Sequence, residues 1–299
     1  MNSASSQPTT IAPSTESQLP DSTRISYAQL CVADSGQALR FYRDLLGLVE
    51  IRTEGRTTYL STLGTQKPLL LITEDPDAKP RDVRSPGLFH LALLYPHRQD
   101  LAAILKRLTL HRWPFQGFAD HGVSEALYLA DPDGNGVELY VDRPRAEWLY
   151  RNGQLEMVTE PLNLEDLLSE LNGHSENEFP YVQGVSIGHI HLQVSSLRAA
   201  EEFYHKALGF DVTQRNFPGA LFLSAGDYHH HLGVNVWNSR GTSPTPAHSR
   251  GLTRFGIHLG NEQALQSLAA QLRPTPFWVK DSTDGFVVHD RDNIHIDIT

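Results

Sequence analysis

The sequence predicts an α+β fold, in which four βαβββ units pair into two curved, eight-stranded half-barrel sheets. Three observations predict it. One pattern, an opening strand, an amphipathic helix and three short strands, recurs four times between Ile25 and Thr299. The first and third copies align without gaps, ISYAQLCVADSGQALRFYRDLLGL against IGHIHLQVSSLRAAEEFYHKALGF. The stretch Asp120 to Pro144 reads as two strands around a tight turn, with DPDGNG between EALYLA and VELYV. A lone unit leaves its sheet half covered, so units must pair, and two together enclose a cleft.

Composition narrows the partners. A chain of 299 residues has room for about two domains. A formal charge of −10 argues against nucleic acid or an anionic membrane surface, and no apolar run approaches membrane-spanning length. Cys31 is the only cysteine, which rules out an internal disulfide and a cysteine-based zinc site and fits a reducing, cytoplasmic setting. The histidines number 15, several of them on expected strands. A homo-oligomer is left open.

In chain order, residues 1–22 are rich in Ser, Thr, Pro and Gln and are expected to be a disordered tail. They lack the basic start and apolar stretch of a signal peptide. Residues 23–144 are expected to form an N-terminal domain of two units. The first opens with ISYAQLCV and a helix closed by Gly47; the second opens with LFHLALLY and the helix RQDLAAILKRLTLH. Residues 145–183 are expected to be a helical linker, with Asn163 as N-cap and Leu164, Leu167, Leu168 and Leu171 as an apolar stripe. Residues 184–299 are expected to form a C-terminal domain of two units, opening with IGHIHLQV and LTRFGIHL.

Single candidates each carry a plain structural reading beside a functional one. In GVELYV, period-2 alternation places Val137, Leu139 and Val141 on one face and Glu138 on the other, where a carboxylate needs water or a partner. His90 in LFHLAL could serve as a hydrogen-bonded core histidine. His189 and His191 share a strand face. Asp131 and Asp133 belong to the turn, because Asp bonds its own backbone there.

The motifs GHIHLQV with FYHKALGF, DYHHHLGVNVW, GLFHLALLYPHR and SEALYLADPDGNGVELYVDRP resemble the vicinal-oxygen-chelate superfamily of glyoxalases, bleomycin resistance proteins and extradiol dioxygenases. The resemblance extends from Ile25 to Thr299 and is strongest to its two-domain catechol 2,3-dioxygenase-like members. It implies Fe(II) held by two His and one Glu, with a further His as acid/base. The usual pairing of units three and four fails here, because Arg254 and Asp297 stand at two ligand positions and a guanidinium has no lone pair to offer. Pairing units one and two meets Tyr27 at a ligand position. Pairing unit two with unit three brings His90, Glu138 and His189 together as a facial triad. Units one and four then form a second half without metal, where Arg254 and Asp297 are expected to pair as ions.

The same resemblance assigns His230 as acid/base through the spacing of HHLGV, with His229 and His231 as the alternatives in the triplet. Tyr128 matches a tyrosine that contacts substrate or ligand oxygen, and His121 lies near a histidine that helps bind O2. The implied function is Fe(II)-dependent extradiol cleavage of a small aromatic diol with O2, in aromatic compound catabolism. The alternatives are a glyoxalase-like isomerase or lyase using Mn(II), Ni(II) or Zn(II), and a small-molecule-binding protein without turnover.

Overall fold

The computed structural model describes residues 19–151, 154–173 and 183–299. The expected tail lies outside the described residues up to position 18. Its last residues pack on the fold, since Leu19 is buried and the Ser22 hydroxyl donates to the Leu259 carbonyl at 2.6 Å.

Four units follow. The first is β1 (Arg24–Val32), α1 (Ser35–Leu39), β2 (Val49–Glu54), β3 (Thr57–Ser61) and β4 (Leu70–Glu74). The second is β5 (Gly87–Leu94), α2 (Arg98–Leu110), β6 (Phe115–Asp120), β7 (Ser124–Ala130) and β8 (Gly136–Asp142). The linker holds β9 (Tyr150–Arg151), β10 (Gln154–Leu155) and α3 (Leu164–Ser169). The third unit is β11 (Ser186–Gln193), α4 (Leu197–Ala200), β12 (Asp211–Gln214), β13 (Ala220–Ser224) and β14 (Leu232–Asn235). The fourth is β15 (Gly251–His258), α5 (Glu262–Leu272), β16 (Trp278–Ser282), β17 (Gly285–His289) and β18 (His295–Ile298).

Two eight-stranded sheets result. One has the order β16-β17-β18-β15-β1-β4-β3-β2, joining units four and one; the other has β12-β13-β14-β11-β5-β8-β7-β6, joining units three and two. This is the pairing expected from the ligand positions. Each sheet therefore takes one unit from each half of the chain. Opening strands meet antiparallel at the centre, β1 with β15 and β5 with β11, and each lies parallel to the last strand of its own unit. A strand so placed is covered on both faces, which is why GLFHLALL is buried almost throughout.

Helices cover one face of the sheets. The helix of unit one passes from α1 into a π-helical stretch, Arg40–Leu45, and that of unit three from α4 into Glu201–Ala207. The wider turn carries two consecutive aromatic residues inward, so Phe41, Tyr42, Phe203 and Tyr204 are all fully buried. Tyr42 donates to Asp131 Oδ2 at 3.0 Å, and Tyr204 to Asp290 Oδ2 at 3.0 Å. Each helix is thus tied to the turn of a unit in the other sheet. Asp131 also accepts from the Asp133 and Asn135 amides at 2.9 and 2.8 Å, the turn role expected for it.

The linker departs from expectation in two ways. Asn163 caps α3 by accepting from the Asp166 amide, and Leu167 is buried, but the helix has only six residues and Leu168 is exposed. A single turn and a half cannot turn four leucines onto one face. Ahead of it the chain adds to the sheet edge, where Glu160 and Asp120 exchange backbone hydrogen bonds of 2.8 and 2.9 Å. Met157, Val158 and Thr159 thereby become a wall of the cleft. Among the described residues no helix is long and apolar enough to cross a membrane.

Candidate active site

The site forms on the cleft face of the β5–β8–β11 centre. Register sets it up: Ala92 on β5 lies opposite Glu138 on β8 and opposite His189 on β11. Flanking strands lie about 10 Å apart across a central one, so Glu138 and His189 converge over the small Ala92 side chain. Gly136 allows β8 to come close enough, since a Cβ there would stand 2.1 Å from the Phe89 carbonyl oxygen. Gly188 makes room for the Tyr140 hydroxyl, which a Cβ would meet at 1.6 Å.

Three donor atoms meet there. His90 Nε2 is 3.0 Å from Glu138 Oε2 and 3.1 Å from His189 Nε2, and His189 Nε2 is 3.2 Å from Glu138 Oε2. All three residues are buried. Three mutually perpendicular ligands, each about 2.1 Å from one ion, would be about 3.0 Å apart. The triangle therefore fits one face of an octahedral divalent metal. Protonation agrees: burial pushes the His189 imidazole down to about 4, which keeps it neutral. Burial would raise the Glu138 carboxyl, but His189 and His90 hold it well below the usual carboxylate range. Neutral imidazole and ionised carboxylate are the forms a metal requires. His189 Nδ1 is buried with no hydrogen-bond partner, so packing orients this ring, against His230 at 4.2 Å and Tyr140 at 5.2 Å between centroids.

The histidine triplet divides in three directions. His230 lines the same cavity as His90, Glu138 and His189. His229 is buried beneath it, its Nε2 3.0 Å from Asp142 Oδ1 and its Nδ1 2.8 Å from His230 Nδ1. A carboxylate only accepts, so His229 donates from Nε2. A neutral His229 then accepts at Nδ1 from His230, which leaves the His230 Nε2 lone pair free. Burial, followed by the neighbouring imidazoles of His189 and His229, holds His230 well below its ordinary pKa and hence neutral. His231 turns elsewhere, accepting from the Ala225 amide at 3.2 Å. His191 lies at the cavity, but its Nε2 is engaged by the Asn235 side-chain amide at 3.0 Å.

Tyr128 and His121 stand together on the opposite wall. His121 Nδ1 donates to the Val158 carbonyl at 2.8 Å, so its Nε2 accepts from the Tyr128 hydroxyl at 2.8 Å in the neutral ring. Burial and then the Glu138 charge raise the Tyr128 phenol well above its ordinary pKa, which keeps its proton on. In the other sheet, the Tyr27 hydroxyl donates to Asp297 Oδ2, and Arg254 Nη1 lies 3.6 Å from the same oxygen, the ion pair expected there.

Sequence reasoning missed three features: Asp142 as partner of His229, the linker wall, and the aromatic wall of Phe89, Phe217, Phe222 and Trp237. Phe89 and Trp237 lie inside motifs and Phe217 and Phe222 between two of them, but the four side chains gather from two units, and no spacing records that.

Comparison with known proteins places the chain among relatives. A family model described as the Glyoxalase/Bleomycin resistance protein/Dioxygenase superfamily matches residues 24–139 and 186–273. A Bacillus subtilis (strain 168) protein named catechol-2,3-dioxygenase is 38% identical over 274 residues, covering 90% of this chain and 94% of its own. Among solved structures, a candidate dioxygenase from Bacillus subtilis aligns with a TM-score of 0.63 at 12% identity, covering 95% of this chain and 85% of its own. Glyoxalase I from Zea mays aligns with a TM-score of 0.57 at 14% identity, over 93% and 92%. These two structural likenesses show the shared fold.

Proposed function

This chain belongs to the glyoxalase/bleomycin resistance protein/dioxygenase superfamily, and from that premise we propose that it is an extradiol dioxygenase, which opens a catechol ring with O2 beside the two hydroxyl-bearing carbons. The observation that carries the reading is the buried triangle of His90, Glu138 and His189, with edges of 3.0–3.2 Å, beside a neutral His230. The relative named catechol-2,3-dioxygenase supports it. In this reading the three residues hold Fe(II), and Mn(II), Ni(II) or Zn(II) are the ions to be tested against it.

When bound, Fe(II) would supply open coordination positions for the two catechol oxygens and O2, and acidify the phenols. The chain supplies the rest. His230 Nε2 takes the proton of one catechol hydroxyl, and His229 with Asp142 holds that ring in the accepting tautomer. Tyr128 keeps its proton, which it gives to His121 Nε2 before substrate binds; turning that one O–H from His121 to substrate would let it stabilise negative charge growing on oxygen. Apolar walls keep water from the site. Three protein donors, and not four, suit a bidentate diol and O2. The test is exposure of the anaerobically Fe(II)-loaded protein to catechol and O2. A ring-opened hydroxymuconic semialdehyde in proportion to the O2 consumed is expected; O2 uptake with a quinone, or no uptake, would remove the proposal.

A further inference from the structure

The cleft above the triad encloses about 320 Å³, near the low end of small-molecule pockets. That suits a single ring with a short substituent. The outer part, away from His90, Glu138 and His189, is aromatic and aliphatic. Phe89 and Trp237 stand 5.1 Å apart between centroids, Phe217 and Phe222 5.9 Å, and Phe217 and Trp237 6.2 Å. Val123 and Val158 face the same space. Among the described residues that line it, the one amide is Gln214, whose buried oxygen has no hydrogen-bond partner. It offers a neutral contact and no counter-charge.

Charge is distributed unevenly. Among the described residues that line the cleft, none is Lys or Arg and Glu138 is the only carboxylate. Two nearby guanidiniums are engaged outside it: Arg143 with Asp120 at 2.6 Å, and Arg98 with Glu125 at 2.6 Å. A ring carboxylate on the substituent side, away from the metal position, would thus be taken out of water with no side-chain cation to receive it, while the charge of a bound divalent ion is already met by Glu138 and the ionised diol.

We propose that this cleft selects catechols with a neutral, apolar ring substituent and turns away those with a ring carboxylate. The proposal deepens the ring-cleaving reading and rests on it. Three probes of similar size separate charge from shape: 4-methylcatechol, 3,4-dihydroxybenzoate and the methyl ester of the latter. Their binding to the Fe(II)-loaded protein is measured without O2 by quenching of tryptophan fluorescence, and kcat/KM is measured with O2.

The methyl compound and the ester should bind within about 10-fold of each other, and the carboxylate at least about 100-fold more weakly. The same order should hold in kcat/KM. Phe217 is 39% exposed, at the rim of the cleft. Phe217→Arg should therefore fold and should strengthen carboxylate binding by about 10-fold. The proposal is overturned if the carboxylate binds as well as the methyl compound, if the ester is excluded with it, or if Phe217→Arg brings no gain. It is also overturned if none of the three binds. Binding without ring opening would remove the ring-cleaving reading alone, because the fluorescence series still decides the selectivity.

Discussion

His230 and His229 are neighbours with different work, and substitution should separate them. His230 faces the cleft, so His230→Phe should keep metal and catechol binding while turnover falls by roughly 10²- to 10⁴-fold. His229 touches His230 and Asp142 and does not line the cleft. His229→Phe should therefore keep metal and cost turnover only about 10- to 100-fold, the usual range for a supporting partner. Metal analysis and product absorbance on the same samples check both; loss of metal in His230→Phe would make that residue a ligand. His90, Glu138 and His189 were legible in the sequence because each falls on a matching position of a repeat. The choice among His229, His230 and His231 was less so, because a run of identical residues has no internal spacing. Asp142 was not legible at all, since its partner lies 87 positions away.

At the scale of elements, the turn at Asp290 mirrors the one at Asp131, and it makes a prediction about pH. Burial pushes the Asp290 carboxyl up to about 6, while the Asp292 and Ile294 amides and the Tyr204 hydroxyl act against the shift. The folded pKa lies above the unfolded value of about 3.9, so the folded state binds this proton more tightly. The stability it contributes is present in full below about pH 4 and is lost as pH rises through about 6, a swing of about 3 kcal/mol. Asp290→Asn keeps a carbonyl oxygen for both amides and sets its NH2 against the Tyr204 oxygen, which then accepts where it had donated. It should flatten stability between pH 4 and 6 and raise it at pH 8, as read by urea unfolding; unchanged pH dependence would count against a raised Asp290. Opening strands and helices were legible from their periodicity. The π-helical stretches were not, because apolar spacing reports which residues turn inward and not how wide the turn is.

Over the whole molecule, the pairing of unit two with unit three decides where the site is. It was legible only from the places where ligand-type residues remain intact, since the strand patterns of all four units are alike. The same logic places Tyr27, Arg254 and Asp297 in a sheet of their own, bonded to one another. The double substitution Arg254→Ala with Asp297→Ala should therefore leave metal content unchanged. The proposed function requires one buried triangle, on β5, β8 and β11, to hold one divalent ion between the two halves of the chain. It is tested most directly by elemental analysis of anaerobically purified protein, wild type beside Glu138→Ala. About one iron per chain is expected in the wild type and nearly none in the variant. Equal metal in both, or none in the wild type after Fe(II) loading, would contradict it.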